Sequence, residues 1–116
     1  DSANIWRQLD KTSIEPQRIL AELFISSGNL AKARPLIKNL LEQEEKTRAE
    51  GFLYLNKILS QVENKKNALR FILDISKPYM HIAEARFAIA HAAFSAGNKK
   101  MALSELDKIE RYFRKH

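Results

Sequence analysis

The sequence predicts an all-α chain built from about three stacked helix-turn-helix units, and three observations carry that prediction. One is a recurring pattern: Ala90, Gly97, Asn98, Ala102 repeats the spacing of Ala21, Gly28, Asn29, Ala33, with a weaker copy at Asn56, Glu63, Asn64, Ala68. The Asn markers at 29, 64 and 98 are 35 and 34 residues apart, the period of helical hairpins that stack on their neighbours. Another is that apolar residues between the markers recur at steps of three and four, which is the period of a helix face. The last is that Gly precedes Asn at two of the markers, the punctuation of one helix ending and another beginning.

The chain has 116 residues, enough to bury a core without staples, and no cysteine, which rules out disulfides and thiolate metal sites but does not choose a compartment. Twenty Lys and Arg against fourteen Asp and Glu give a net charge of +6, which favours acidic partners through long-range attraction. The basic residues are spread over every segment, so nucleic acid is not the expected partner. The longest uncharged run, Phe87 to Asn98, falls well short of the roughly 20 apolar residues of a membrane helix. The chain opens at Asp1 with no methionine, which leads us to expect sequence upstream.

Residues 1–13 form a leading segment in which Ile5, Trp6 and Leu9 share one helical side. It reads as a helix that packs onto the first hairpin, or as the tail of a preceding unit. Thr12 and Ser13 offer cap oxygens and Pro16 sits in the first turn, so a helix starts there and presents Ile19, Leu20, Leu23, Phe24 and Ser27. Gly28 ends it and Asn29 caps the next helix, whose face is Ala33, Ile37, Leu40 and Leu41. Pro35 inside that helix predicts a kink or a late start.

A charged connector, Glu42 to Arg48, leads to Thr47 and Glu50, which match a capping box. The third helix is expected from about Arg48 to Val62, with Phe52, Leu53, Leu55, Ile58, Leu59 and Val62 apolar. Glu63 then stands where the other units have Gly, and a left-handed conformation there costs about 1 kcal/mol or more, so this turn is differently shaped or less stable. Ala68, Leu69, Ile72, Leu73 and Ile75 make the next face, which Pro78 ends by restricting Lys77. Tyr79 to Ala96 reads as the longest clean helix, thin because it is rich in alanine. In the last helix Ala102, Leu103, Leu106, Ile109 and Phe113 are expected to face inward, with Arg111, Tyr112, Arg114 and Lys115 either closing the end themselves or meeting a further helix.

On these residues the chain resembles the tetratricopeptide repeat (TPR) family, with units Ile14 to Thr47, Ala49 to Ile82 and Ala83 to His116, that is 14–47, 49–82 and 83–116. The small residues Ala21, Gly28 and Ala33, then Ala68, then Ala90, Gly97 and Ala102 carry the match. The aromatic that often opens a unit is present as Phe52, while Gln17 and Arg86 stand in its place in the other two. The resemblance implies a right-handed array, a TPR-like α-solenoid, whose first helices line a concave groove for a protein or peptide. By register the groove residues would be Arg18, Glu22 and Ile25, then Tyr54, Lys57 and Gln61, then Phe87, His91 and Phe94. Tyr54, Phe87 and Phe94 would be apolar anchors, with Lys57 and Arg18 selecting an acidic neighbour. An ordinary antiparallel bundle and the RNA-reading pentatricopeptide repeat remain open as alternatives.

Catalysis has little support. His81, His91 and His116 lack the i, i+4 pairing of a metal site, and His91 with Ser95 has no third group to orient it. Phosphate loops and Gly-rich dinucleotide motifs are missing from the sequence. The expectation is a non-catalytic interaction scaffold without cofactor or metal, part of a larger protein, in the cytoplasm or the periplasm. A basic RNA-binding helical-repeat module, or the sensor or dimerisation arm of a larger regulator, are the other readings.

Overall fold

The computed structural model describes residues 14–115. The leading segment with Trp6, the Thr12 and Ser13 caps, and His116 lie outside the described residues. Six α-helices follow one another: α1 (Ile14–Ser26), α2 (Leu30–Gln43), α3 (Arg48–Leu59), α4 (Lys65–Ser76), α5 (Ala83–Ser95) and α6 (Lys99–Lys115). A single 3₁₀ turn, Lys77–Tyr79, follows α4, and no strand occurs among the described residues. The fold is all-α and repeat-like.

The three Asn markers all cap helices. Asn29, Asn64 and Asn98 each turn a side-chain oxygen back to accept from the backbone N–H three residues on, at 3.3, 3.0 and 3.1 Å. This satisfies one of the orphan donors of α2, α4 and α6. Gly28 and Gly97 are left-handed, with φ of 80° and 85°. In both, the Asn N–H reaches back to a carbonyl five residues earlier at 2.8 Å, closing the preceding helix.

The middle turn is built differently. Among the described residues no residue other than Gly has positive φ, so Glu63 avoids left-handed space. Instead α3 stops at Leu59, three residues before the expected Val62, and Gln61 and Val62 donate in tight turns to the Ile58 and Leu59 carbonyls. Lys65 Nζ donates to the Ser60 carbonyl at 2.7 Å, covering an acceptor that the early stop exposes.

Other expectations change at helix ends. Thr47 takes the N-cap position of α3 but makes no side-chain cap bond, so no capping box forms. The connector is tied by Arg48, whose Nε donates to the Leu41 carbonyl at 2.8 Å and so covers the C-terminal end of α2. Pro35 does not delay α2, which runs from Leu30; early in the helix, its missing N–H forfeits a single bond to Ala31. Lys77 keeps helical dihedrals and passes into the 3₁₀ turn, which Pro78 accommodates at its start. The helix expected from Tyr79 begins only at Ala83, and the longest described helix is α6, of 17 residues.

The core draws its residues from all six helices. Ala21, Ile25, Ala33, Ile37, Leu40, Leu41, Phe52, Leu55, Ile58, Ala68, Phe71, Ile72, Ile75, Ile89 and Ala102 are buried. Helix α1 packs on α2 and α5 on α6, and α5 also lies against both α3 and α4. The alanine face Ala85, Ala88 and Ala93, almost fully buried, lets α5 sit that close to two helices at once. Leu53, Ile19, Leu23, Leu103, Leu106 and Phe113 were expected inside but are exposed. In α1 the buried stripe is Gln17, Ala21, Ile25, rotated from the one that apolarity suggests, because α2 is joined by a short turn and covers that side. In α6 only Ala102 and Glu105 are buried, since among the described residues α5 is the one helix that packs closely against it.

Where the opening aromatic of a unit is missing, a polar pair spans the two helices instead. Asn39 donates to the buried Gln17 at 2.7 Å, and Arg86 donates to the buried Glu105 at 3.0 Å. In the middle unit Phe52 stays fully buried and meets Tyr79 edge-on, with ring centres 5.7 Å apart.

Candidate functional site

A cleft of about 400 Å³ opens between the first helix pair and α3. It exists because the backbones of α2 and α3 do not approach closely, although the two helices are consecutive. The two helices come close at Gly51, where an added Cβ would stand 3.3 Å from Leu41 Cδ2. Beyond it Ile37, Leu40, Leu41, Leu55 and Ile58 form an apolar floor.

The rim is polar and mostly acidic. Helix α1 places Arg18 and Glu22 one turn apart, the connector adds Glu44 and Thr47, and α3 adds Glu50 and Tyr54. Arg18 is held by Glu44 at 2.5 Å and by Glu15 at 3.2 Å. The Tyr54 hydroxyl donates to Glu22 Oε2, tying α3 to α1 across the cleft. Partial burial, the bond to Glu22 and the Glu22 charge push the Tyr54 phenol up to about 12, so it stays a neutral donor at physiological pH. Glu50 makes no ion pair among the described residues and faces the opening. The rim thus sets three carboxylates against one guanidinium, locally reversing the sign of a chain with net charge +6.

A second, wholly different hollow of about 470 Å³ lies on α5 and α6, lined by Phe87, Ala90, His91, Phe94, Leu103 and Leu106 with Lys99 at its edge. It is apolar and open. Phe94 is 63% exposed and Phe87 44%. His91 also serves the fold, since its Nδ1 lies 2.9 Å from Asn56 Oδ1 and links α5 to α3.

The residues expected to line one groove are therefore divided. Arg18, Glu22 and Tyr54 meet at the first cleft, and Phe87, His91 and Phe94 meet at the second. Ile25 is 1% exposed and belongs to the core, because its side of α1 is the one α2 covers. Gln61 falls in the turn after α3, since that helix ends early, and it lines neither hollow. Lys57 is exposed on α3 but likewise lines neither. Arg18 is engaged by two carboxylates, those of Glu44 and Glu15.

Glu44, Thr47 and Glu50 were missed by sequence reasoning, which treated them as connector and cap. The density of carboxylates from Glu42 to Glu50 was the signal that could have marked a rim. Among the described residues no group of three or more His, Cys, Asp or Glu is placed to hold a metal ion, and no helix is long and apolar enough to cross a membrane.

No family model matches the chain, and no curated protein or solved structure matches it significantly.

Proposed function

We propose that the chain is a non-catalytic interaction scaffold of the tetratricopeptide type, its helix pairs stacked as a right-handed array, and that the cleft between the first pair and α3 takes a peptide segment. The observation that carries this reading is the combination in one cleft of an apolar floor and a carboxylate rim. Burying a Leu- or Phe-sized side chain on that floor supplies a few kcal/mol, while the rim charges set selectivity and on-rate. The bound segment is an apolar residue flanked by Lys or Arg. This inverts the preference for an acidic neighbour that the net charge suggests. The stacking reading is supported by the three equivalent Asn caps and by the way α5 packs on both members of the pair before it.

The test is a peptide array with a central Leu or Phe flanked by Lys in one series and by Glu in the other. The Lys series binds, and Glu50→Lys abolishes that preference without change in helical content. Tyr54→Ala weakens binding by about tenfold or more. Preference for the Glu series, or binding untouched by both substitutions, would remove the cleft from consideration. A tight, salt-insensitive RNA complex would instead favour a nucleic-acid module.

A further inference from the structure

The hollow on α5 and α6 is a trough between two matched stripes. Phe87, Ala90, His91 and Phe94 fall at i, i+3, i+4 and i+7 on α5. Lys99, Ala102, Leu103 and Leu106 do the same on α6. Ala90 and Ala102 make a buried floor, while Phe87, Phe94, Leu103 and Leu106 stand exposed along it. Single exposed apolar residues need no explanation, but four large ones around one hollow mark a contact surface.

The chain already holds an equivalent surface with its occupant in place. Moving back by the 34 residues that separate Asn98 from Asn64, Ala90, Phe94, Lys99 and Ala102 correspond to Asn56, Ser60, Lys65 and Ala68. Those four residues of α3 and α4 face Ala88, His91 and Ala92 of α5 across a gap of only about 10 Å³. What covers the surface there is a helix, α5, lying against both members of the pair. On α5 and α6 the surface is open and yet less polar than the covered one, since Ala90 stands in place of Asn56 and Phe94 in place of Ser60. A face left in water would run the other way, because the outer side of a terminal repeat is polar for solubility.

We infer that this trough docks an acidic amphipathic α-helix of a partner protein, lying on α5 and α6 as α5 lies on α3 and α4. Lys99 supplies the charge at its edge, and among the described residues no carboxylate lines it. A Glu or Asp of the incoming helix meets Lys99 while apolar residues at i, i+3, i+4 and i+7 fill the floor. A second copy is the poorer occupant, because it carries the same net charge of +6 and is repelled at long range. The trough is separate from the cleft at α3, and an extended peptide with one apolar residue does not fill it.

The probe is a helical peptide with Leu at i, i+3, i+4 and i+7 and Ala and Glu elsewhere, beside a counterpart with Lys in place of Glu. The full chain binds the Glu peptide more tightly. Phe94→Ser, which copies the middle pair without altering charge, weakens that binding by about tenfold or more with helical content unchanged. Lys99→Glu turns the preference towards the Lys peptide, whereas Lys57→Glu, the same change of charge outside the trough, does not. The chain has no cysteine, so Leu103→Cys gives a single thiol whose rate of modification reports cover. It reacts freely in the chain alone and slowly with the Glu peptide present. Four results would overturn the proposal: no binding of the Glu peptide, binding indifferent to Phe94→Ser or to Lys99→Glu, a thiol slow in the chain alone at every dilution, or one slow only where the mass is dimeric. The third would assign the face to another part of the same chain and the fourth to a second copy.

Discussion

The outer helix pairs and the middle pair solve the same problem in different ways. In α1/α2 and α5/α6 a Gly-Asn turn joins the helices, and their backbones run within 8 Å of each other over much of their length. In α3/α4 the turn has no left-handed residue and the two backbones hardly approach that closely. Ala21 and Ala90, both buried, keep the outer pairs thin at the crossing, whereas Asn56 stands in the equivalent place in the middle. Asn56 is used elsewhere, bonding to His91 of α5. The middle pair thus spends its contacts on the neighbouring α5 and fewer on itself. Identical spacing along the chain does not imply identical packing: the larger residue stands where the pair is looser.

The largest test of that contrast is bulk at the crossing. Ala21→Leu is expected to destabilise by about 1–3 kcal/mol through overpacking between α1 and α2. Asn56→Leu, where the helices already stand apart, should cost distinctly less even with the bond to His91 lost. Urea midpoints compare the two directly, and equal losses would show that the middle pair is as tight as the first.

Turn chemistry comes next. An added Cβ at Gly28 or Gly97 meets nothing within 4 Å, so Gly28→Ala and Gly97→Ala isolate backbone strain. Each should lose about 1–2 kcal/mol. The reverse change in the middle turn, Glu63→Gly, should bring no gain, because no left-handed residue is present there to relieve. A stabilised Glu63→Gly protein in thermal unfolding would contradict the turn as described.

A smaller effect of opposite sign is expected within α3. Gly51→Ala removes the helix penalty of glycine, about 1 kcal/mol, and the atom it approaches is the far end of Leu41, which borders open cleft space and can yield. Net stabilisation of roughly 0.5–1 kcal/mol should result, measured by the same titration, with weaker peptide binding as the cleft narrows.

The smallest effect is electrostatic. Because burial and Glu22 raise the Tyr54 phenol to about 12, its contribution is fully present below the ordinary tyrosine value of about 10 and is lost as pH rises through 12. Absorbance titration should show one tyrosine ionising late, and Tyr54→Phe should remove that late step. A late step that survives the substitution would overturn its assignment to Tyr54.

Much of this architecture could be read from local chemistry. Gly28, Gly97 and the three Asn residues act within a few positions of themselves, so their roles as helix stop and helix cap follow from residue type and spacing. The burial of Ala33, Ile37, Leu40 and Leu41 follows from periodicity for the same reason. What the one-dimensional pattern left open is which side of a helix receives a neighbour. Periodicity marks Ile19 and Leu23 as inward as readily as Gln17, Ala21 and Ile25, and only the placement of α2 decides for the second stripe. The acidic rim depended on tertiary structure in the same way: Glu22, Glu44 and Glu50 belong to three different segments and converge only when α3 stands off from α2. Short-range hydrogen bonding and sterics are encoded where the residues stand, whereas the facing of helices and the meeting of charges depend on volumes contributed from distant parts of the chain.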